Sequence, residues 1–191
     1  VHQGGGGSSP TRYQLATQQT VRMFYKSARN AVQAAEREAF MWDRAQHLAS
    51  NGLFDEIIFV SKPTSAATAL PQTFGEVDQN GKNRLVILDP REWTLLNGRD
   101  VPTRAAIESL LGMGADPLPV ENAASCVIAC VNTQRRDGVR KRAVEVLAWR
   151  AAKLLVDDGT DMRAEAEANE KAALGKFDEA LKSAFQHYAY L

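Results

Sequence analysis

The chain has 191 residues and carries 23 basic and 23 acidic side chains, so its formal net charge is zero. Balanced charge argues against a polybasic protein that works by bulk electrostatics, and two cysteines are too few for a disulfide scaffold. The sequence has no long apolar run of the kind that spans a membrane and no signal peptide. We therefore expect a cytoplasmic protein with reduced thiols and no membrane partner. The first residue is Val, which suggests a piece of a longer protein.

The beginning of the chain predicts a linker followed by a long helix. Residues 1–10, VHQGGGGSSP, are rich in glycine and serine and predict a flexible linker or an engineered remnant. We expect residues 11–191 to form a single α/β domain. The weak alternation of Arg12–Ala16 predicts a short edge strand. From about Gln18 to Ser50, apolar residues recur at three- and four-residue steps and predict one helix, stopped by Asn51-Gly52.

Three short apolar runs predict buried strands. They are Ile57–Val60, Leu85–Leu88 and Ser125–Val131. Between the first two, residues 62–83 contain prolines and glycines and predict a long loop. Between the last two, Pro102–Leu111 predicts a short helix, with proline in its first turn.

Two long helices are predicted in the last third of the chain. Asn132 or Thr133 begins the first, which we expect to pack on the sheet through Leu147, Trp149 and Leu154. The helix breaks at Asp157-Asp158-Gly159.

Thr160 or Asp161 caps the last long helix. Its predicted apolar stripe runs from Met162 to Phe185 and Tyr188. A strand is predicted at Tyr188–Leu191. Strands separated by helices indicate an α/β fold with a small, mostly parallel sheet of three to five strands packed by long helices.

Motifs for cofactor and metal chemistry are not found. The stretch from Gly75 to Asn83 has five residues between its glycines and lacks the Ser or Thr after Lys82 that a phosphate-binding P-loop requires. Cys126 and Cys130 lie on one face of a predicted strand without a second Cys or His pair, which is typical of small buried residues. We therefore predict no catalytic, cofactor-binding or metal-binding residues and no cofactor in this chain, and we lean against an enzyme.

One carboxylate keeps a catalytic alternative open. Asp89 follows a predicted strand, which is where open α/β sheets place ligand-binding and catalytic groups. A small α/β enzyme would need a concave pocket there and a second polar group within hydrogen-bonding reach. An aspartate that forms a turn before Pro90 explains the position equally well.

A basic run at the start of the next helix keeps a nucleic-acid alternative open. Its members are Arg135, Arg136, Arg140, Lys141 and Arg142. Positive charge in the first turns opposes the helix dipole, so the run favours either an anionic partner such as nucleic acid or an acidic protein surface, or a salt-bridged face. No aromatic ladder lies among these cations to favour single-strand stacking.

Four segments, taken in order, resemble a known family. They are Arg12-Tyr13-Gln14-Leu15, then Arg84 to Pro90, then Cys126 to Val131, then Val146-Leu147-Ala148-Trp149 followed by a charged helix ending Tyr188-Ala189-Tyr190-Leu191. The order resembles the segment after the ATPase module in PglY-like ATP-binding proteins of bacteriophage-exclusion (BREX) systems, a domain of unknown function. The family shows "RLVVL-P"-like and "LAW" motifs at these places.

The resemblance implies a role in bacterial antiviral defence. The chain has no Walker A or Walker B sequence, so the resemblance places the ATP site in another part of the parent protein. It implies a non-catalytic accessory module that docks or couples other domains or subunits of a defence complex. The nucleic-acid-binding module and the Asp89 enzyme remain the alternatives.

Overall fold

The structure is a computed structural model. It describes residues 20–50, 52–61, 83–96, 101–110 and 126–189. The predicted linker, the predicted edge strand at Arg12–Ala16 and nearly all of the predicted loop over 62–83 lie outside these residues. None of the helices in these ranges is long and apolar enough to cross a membrane.

Five helices and five strands occur in the described ranges, and they confirm the predicted α/β class. The helices are α1 (Thr20–Ala31), α2 (Ala34–Leu48), α3 (Val101–Leu110), α4 (Thr133–Leu154) and α5 (Asp161–Ala184). The strands are β1 (Glu56–Val60), β2 (Arg84–Leu88), β3 (Thr94–Leu95), β4 (Cys126–Asn132) and β5 (Phe185–Ala189).

The strands form one mostly parallel sheet around β4. Strand β1 pairs with β2, and both β2 and β3 pair with β4, all in parallel, whereas β5 pairs with β4 antiparallel. Val131 pairs with Thr94 on one side and Phe185 on the other, and Ile128 likewise pairs with Val86 and Ala189. Strands β2 and β3 therefore share the same edge of β4, and the Asp89 turn lies between them.

Side-chain alternation divides the core between the two faces of the sheet. One face packs with Ile107 of α3 and consists of Val60, Val86, Leu88, Trp93, Cys126, Ile128 and Cys130. The other face is covered by α2, α4 and α5, whose buried residues include Met41, Trp42, Val139, Val146, Phe177 and Leu181. The apolar strand sequences are explained by this cover on both sides.

The predicted single helix over Gln18–Ser50 is wrong. Gln33 adopts an extended backbone, with φ −78° and ψ 146°, and separates α1 from α2. Its side-chain Nε2 donates to the carbonyl oxygen of Ala31 at 3.0 Å. Helix α1 packs on α4, whereas α2 contacts both α4 and α5. Ala35 and Ala39, which continue the three- and four-residue steps of the sequence, are exposed in α2, whereas Met41 is fully buried.

The predicted ends of the later helices are mostly confirmed. Asn132 caps α4 and Thr160 caps α5, and Gly159 in the break between them has a φ of 77°, which favours glycine. One packing prediction is wrong: Leu154 is 72% exposed, because it is the last residue of α4. Strand β5 begins at Phe185, three residues before the predicted strand.

Candidate functional site

The basic run at the start of α4 is largely engaged with neighbouring groups. Arg140 donates from Nε to Oε1 of Glu38 on α2 at 2.9 Å and from Nη1 to Asp137 at 3.3 Å. Arg142 donates to Glu145 at 2.9 Å. The structure thus gives two members of the run carboxylate partners within the protein.

The other members of the run differ in exposure. Arg135 is exposed and donates to the carbonyl oxygen of Ser183 at 3.4 Å. Arg136 is half-buried and donates to the carbonyl oxygen of Arg91 at 3.5 Å. Lys141 is exposed. Of the predicted site, Arg135 and Lys141 are exposed and form no ion pair with a carboxylate of the described residues.

Asp89 is fully buried in a turn that joins the carboxyl ends of β1 and β2. The backbone N–H of Asp89 donates to Val60 at 2.9 Å. Its carboxylate accepts from the backbone N–H of Arg91 at 2.9 Å and from Nε of the same arginine at 2.8 and 2.9 Å. The buried carboxylate raises the pKa of Arg91 above its ordinary value, chiefly through these hydrogen bonds. Asp89 is thereby committed to an internal ion pair.

The two cysteines predicted to be small buried residues are both buried on the α3 side of the sheet. Burial raises the pKa of the Cys126 thiol, and the nearby charge of Arg84 offsets only part of this effect. A thiol held protonated is a poor nucleophile and a poor metal ligand. In the described ranges, no group of three or more His, Cys, Asp or Glu side chains is placed to hold a metal ion.

A stripe of free positive charge lies on α1. Arg22, Lys26 and Arg29 occupy positions i, i+4 and i+7, which share one face of a helix. All three are exposed, and α1 contains no acidic residue. No ion pair in the part of the chain that the structure describes joins any of them to a carboxylate.

This stripe borders a concave site between three helices, which we call the α1 groove. The groove has a volume of about 310 Å³ and is lined by Arg22, Tyr25, Lys26 and Arg29 of α1, Trp149 of α4, and Glu165 and Asn169 of α5. The rings of Tyr25 and Trp149 are stacked, with centroids 4.3 Å apart and planes 23° apart. Trp149, predicted to pack on the sheet, therefore also anchors α1 to α4 through this stack.

The α5 side of the α1 groove supplies hydrogen-bond acceptors. The side-chain Nδ2 of Asn169 donates to the carbonyl oxygen of Glu165 at 2.9 Å, which leaves Oδ1 of Asn169 as an acceptor and its second N–H as a donor. Glu165 is exposed and forms no ion pair within the described residues. The groove thus combines the cations of α1, an aromatic pair, and a carboxylate and an amide of α5.

A second cavity, of about 210 Å³, lies between α2, α5 and the sheet. Its lining is mostly apolar and includes Leu48, Leu85, Ile87 and Leu181, with Lys182 as its one charged residue. Ligand sites orient their ligands by a few convergent polar groups. The α1 groove has these groups and the apolar cavity has few, so the α1 groove is the stronger candidate site.

Part of the α1 groove has a signal in the sequence, which the predicted sites do not include. The Arg22, Lys26 and Arg29 spacing, with Tyr25 on the same face and no acid in the helix, is visible in the chain itself. The contribution of Trp149, Glu165 and Asn169 is not visible, since only the packing of α1 on α4 and α5 brings them together.

Comparisons with known proteins found nothing similar to this chain. No protein-family model matches the chain, and no curated protein and no solved structure is detectably similar to it. The structure defines the chain as an α/β protein with a mostly parallel sheet covered by long helices.

Proposed function

We propose that this chain is a non-catalytic interaction module that binds a phosphate-bearing, anionic ligand in the α1 groove. One observation carries the proposal: three exposed cations on one helix face border an aromatic-lined cavity and have no carboxylate partner in the described residues. Cations that share a helix face repel one another, and the lining of the α1 groove holds three cations against one carboxylate, that of Glu165. The excess positive charge of the groove therefore favours an anion.

The rest of the polar structure supports binding rather than chemistry. The carboxylate that the sequence singles out for catalysis, Asp89, is buried and paired with Arg91. A general base must have a lone pair available to the proton it removes, and the Asp89 oxygens are occupied by arginine donors. The three cations of the α1 groove bind and orient an anion, since guanidinium and ammonium groups only donate hydrogen bonds.

We also propose, on the resemblance alone, that the module belongs to a cytoplasmic, PglY-like ATP-binding protein of a phage-defence system. There it would dock other domains or subunits and couple them to the nucleotide state of an ATPase module. The neighbouring sequence of the reading frame tests this proposal. A P-loop upstream of the chain is expected, and a complete reading frame with no P-loop would contradict the assignment.

Titration with inorganic tripolyphosphate tests the α1 groove. Trp149 lies in the groove, so binding should change tryptophan fluorescence. The variant R22A/K26A/R29A should lose at least about tenfold in affinity, since each charge contact removed weakens an ion-dependent complex. Affinity for the unsubstituted chain should also fall as salt rises, because screening weakens exposed charge pairs.

A charge-matched variant provides the control. R135A/K141A/K176A removes three exposed positive charges that lie outside the groove, and we expect its affinity to stay within about twofold of the original, since screening weakens charges at a distance. The control also tests the nucleic-acid alternative at the start of α4. Loss of binding in the control but not in the α1 variant would overturn the groove and favour that alternative.

A further inference from the structure

The apolar cavity between α2, α5 and the sheet is a second binding site, and we propose that it takes a small carboxylic acid with an alkyl or aryl body. The cavity and the α1 groove share no lining residue, so the two sites are independent of each other. Size, apolar lining and the sign of the local charge each favour such a ligand.

The volume of the cavity suits a ring or a short alkyl chain. Ala45 and Ala49 at the end of α2 and Ala129 of β4 are among its lining residues, and these small side chains leave space that larger ones would fill. Protein interiors are closely packed, with few voids larger than a water molecule, whereas this cavity measures about 210 Å³. An apolar cavity of about 150 Å³ already holds benzene.

The lining favours apolar atoms over water. Leu48, Leu85 and Phe185 are half-buried, so each keeps part of its apolar surface accessible. A water molecule in a cavity needs about two to four polar partners, and among the described lining residues only Lys182 and Tyr188 have polar side chains. An alkyl or aryl group in the cavity would remove this apolar surface from water, which is favourable.

Lys182 sets the sign of the charge. Its side chain is exposed and forms no ion pair with a carboxylate of the described residues, and the described lining contains no acidic residue. Tyr188, which is 56% exposed, adds a hydroxyl that donates hydrogen bonds. Because both residues are exposed, the cavity reaches solvent beside them, and a carboxylate there avoids the cost of burying a charge.

One cation matches a singly charged ligand. A carboxylate carries one negative charge near neutral pH, whereas a phosphate monoester carries about 1.5 to 2. An amine of the same chain length would bring a second positive charge close to Lys182, which is unfavourable. The cavity therefore favours carboxylic acids over amines and over phosphate esters.

A series of butanoate, hexanoate and octanoate tests the apolar part of the inference by calorimetry on the whole chain. Affinity should rise about fourfold for each CH₂ that enters the cavity, and the heat capacity change on binding should be negative, as for burial of apolar surface. Equal affinities along the series would show that only the charge of the acid is bound, and would overturn the inference.

Comparison of octanoate, octylammonium and 1-octanol tests the charge. Octanoate should bind at least about threefold more tightly than octylammonium, and K182A should weaken octanoate by about two- to fivefold and leave 1-octanol unchanged, as expected for an exposed ion pair. K176A is the matched control, since Lys176 is exposed on the same helix and lies outside the cavity. Octylammonium binding as tightly as octanoate would contradict the preference for acids.

A variant that fills the cavity locates the ligand. A49F should lower octanoate affinity at least about tenfold, because the ring takes the space of more than two CH₂ groups of the ligand, while binding of tripolyphosphate to the α1 groove stays unchanged. A35F is the matched control, because Ala35 is exposed on α2 and outside the cavity, and urea midpoints compare the stability of both variants. Octanoate binding that A49F leaves intact would overturn the inference, as would self-association that A49F abolishes, since the cavity would then hold a second copy of the chain. Neither result would affect the proposed function.

Discussion

Arg140 of α4 donates from Nε to Oε1 of Glu38 on α2 at 2.9 Å, although 102 positions separate the two residues in the chain. Arg37 donates to the same carboxylate oxygen, from Nη2 at 2.7 Å. Glu38 therefore neutralises part of the basic run that the sequence offered as a binding surface. A similar arrangement joins α4 to α5, where Arg150 and Lys153 both donate to Glu170.

These two carboxylates predict acid sensitivity. Burial tends to raise the pKa of Glu38 and of Glu170, but the hydrogen bonds and charges of their basic partners outweigh it, and the pKa of each is lowered from the ordinary value of 4.5. A lowered pKa in the folded state contributes stability above about pH 4.5 that is lost as the pH falls through the folded-state pKa. We therefore expect the urea concentration at the midpoint of unfolding to decrease as the pH is lowered below about 4.5.

Substitution separates this contribution from general acid unfolding. E38Q/E170Q should be less stable than the original at pH 7, and its urea midpoint should depend less steeply on pH below about pH 4.5. E179Q is the control, because Glu179 is exposed and forms no ion pair in the described ranges. A double variant with the pH profile of the original would show that these ion pairs do not stabilise the fold.

The buried pair of Asp89 and Arg91 predicts a large loss of stability on substitution. D89A leaves the partly buried Arg91 guanidinium without its carboxylate and removes the acceptor that closes the turn after β2. Because Arg91 is 28% exposed and water can reach its guanidinium, we expect the cost of a lost buried hydrogen-bond partner, about 1–3 kcal/mol, which chemical denaturation can measure. R142A is the control, since its partner Glu145 is on the same helix and such surface pairs contribute about 0–1 kcal/mol. A D89A variant within that control range would show that the turn does not depend on the pair.

Phe177 and Leu154 form a matched test of the core. Phe177 is fully buried, and its ring centroid lies 5.0 Å from that of Phe40, so F177A should cost about 3–5 kcal/mol in free energy of unfolding. Leu154 is 72% exposed, and L154A should change stability by no more than about 0.5 kcal/mol. The difference should appear in the urea midpoints. A large effect of L154A would restore the original expectation that Leu154 packs the helix on the sheet.

Local sequence patterns predicted the elements that a few neighbouring residues specify, such as apolar strands and helix caps. The buried strands β1, β2 and β4 are apolar on both faces because helices cover both sides of the sheet, and such strands read as continuous apolar runs. Asn132 and Thr160 were predictable as caps because each side chain accepts a backbone N–H two or three residues ahead.

Other elements depend on distant partners and were not predictable in the same way. Strand β3 has only two residues and exists through its pairing with Val131 and Asn132 of β4. The break at Gln33 contains neither proline nor glycine. Both α1 and α2 contact α4, and α2 also contacts α5. Propensity carries no information about a break that tertiary packing causes.

The amino-acid order alone determined the α/β class, the three apolar strands, the helix caps and the burial of Cys126 and Cys130, because periodicity and capping act within a few neighbouring residues. Tertiary packing decided which charges are free. It pairs Arg140 with Glu38 and leaves Arg22, Lys26 and Arg29 beside Trp149. Coulomb and hydrogen-bonding interactions depend on the distance between two groups in space, and the number of residues between them in the chain does not give that distance.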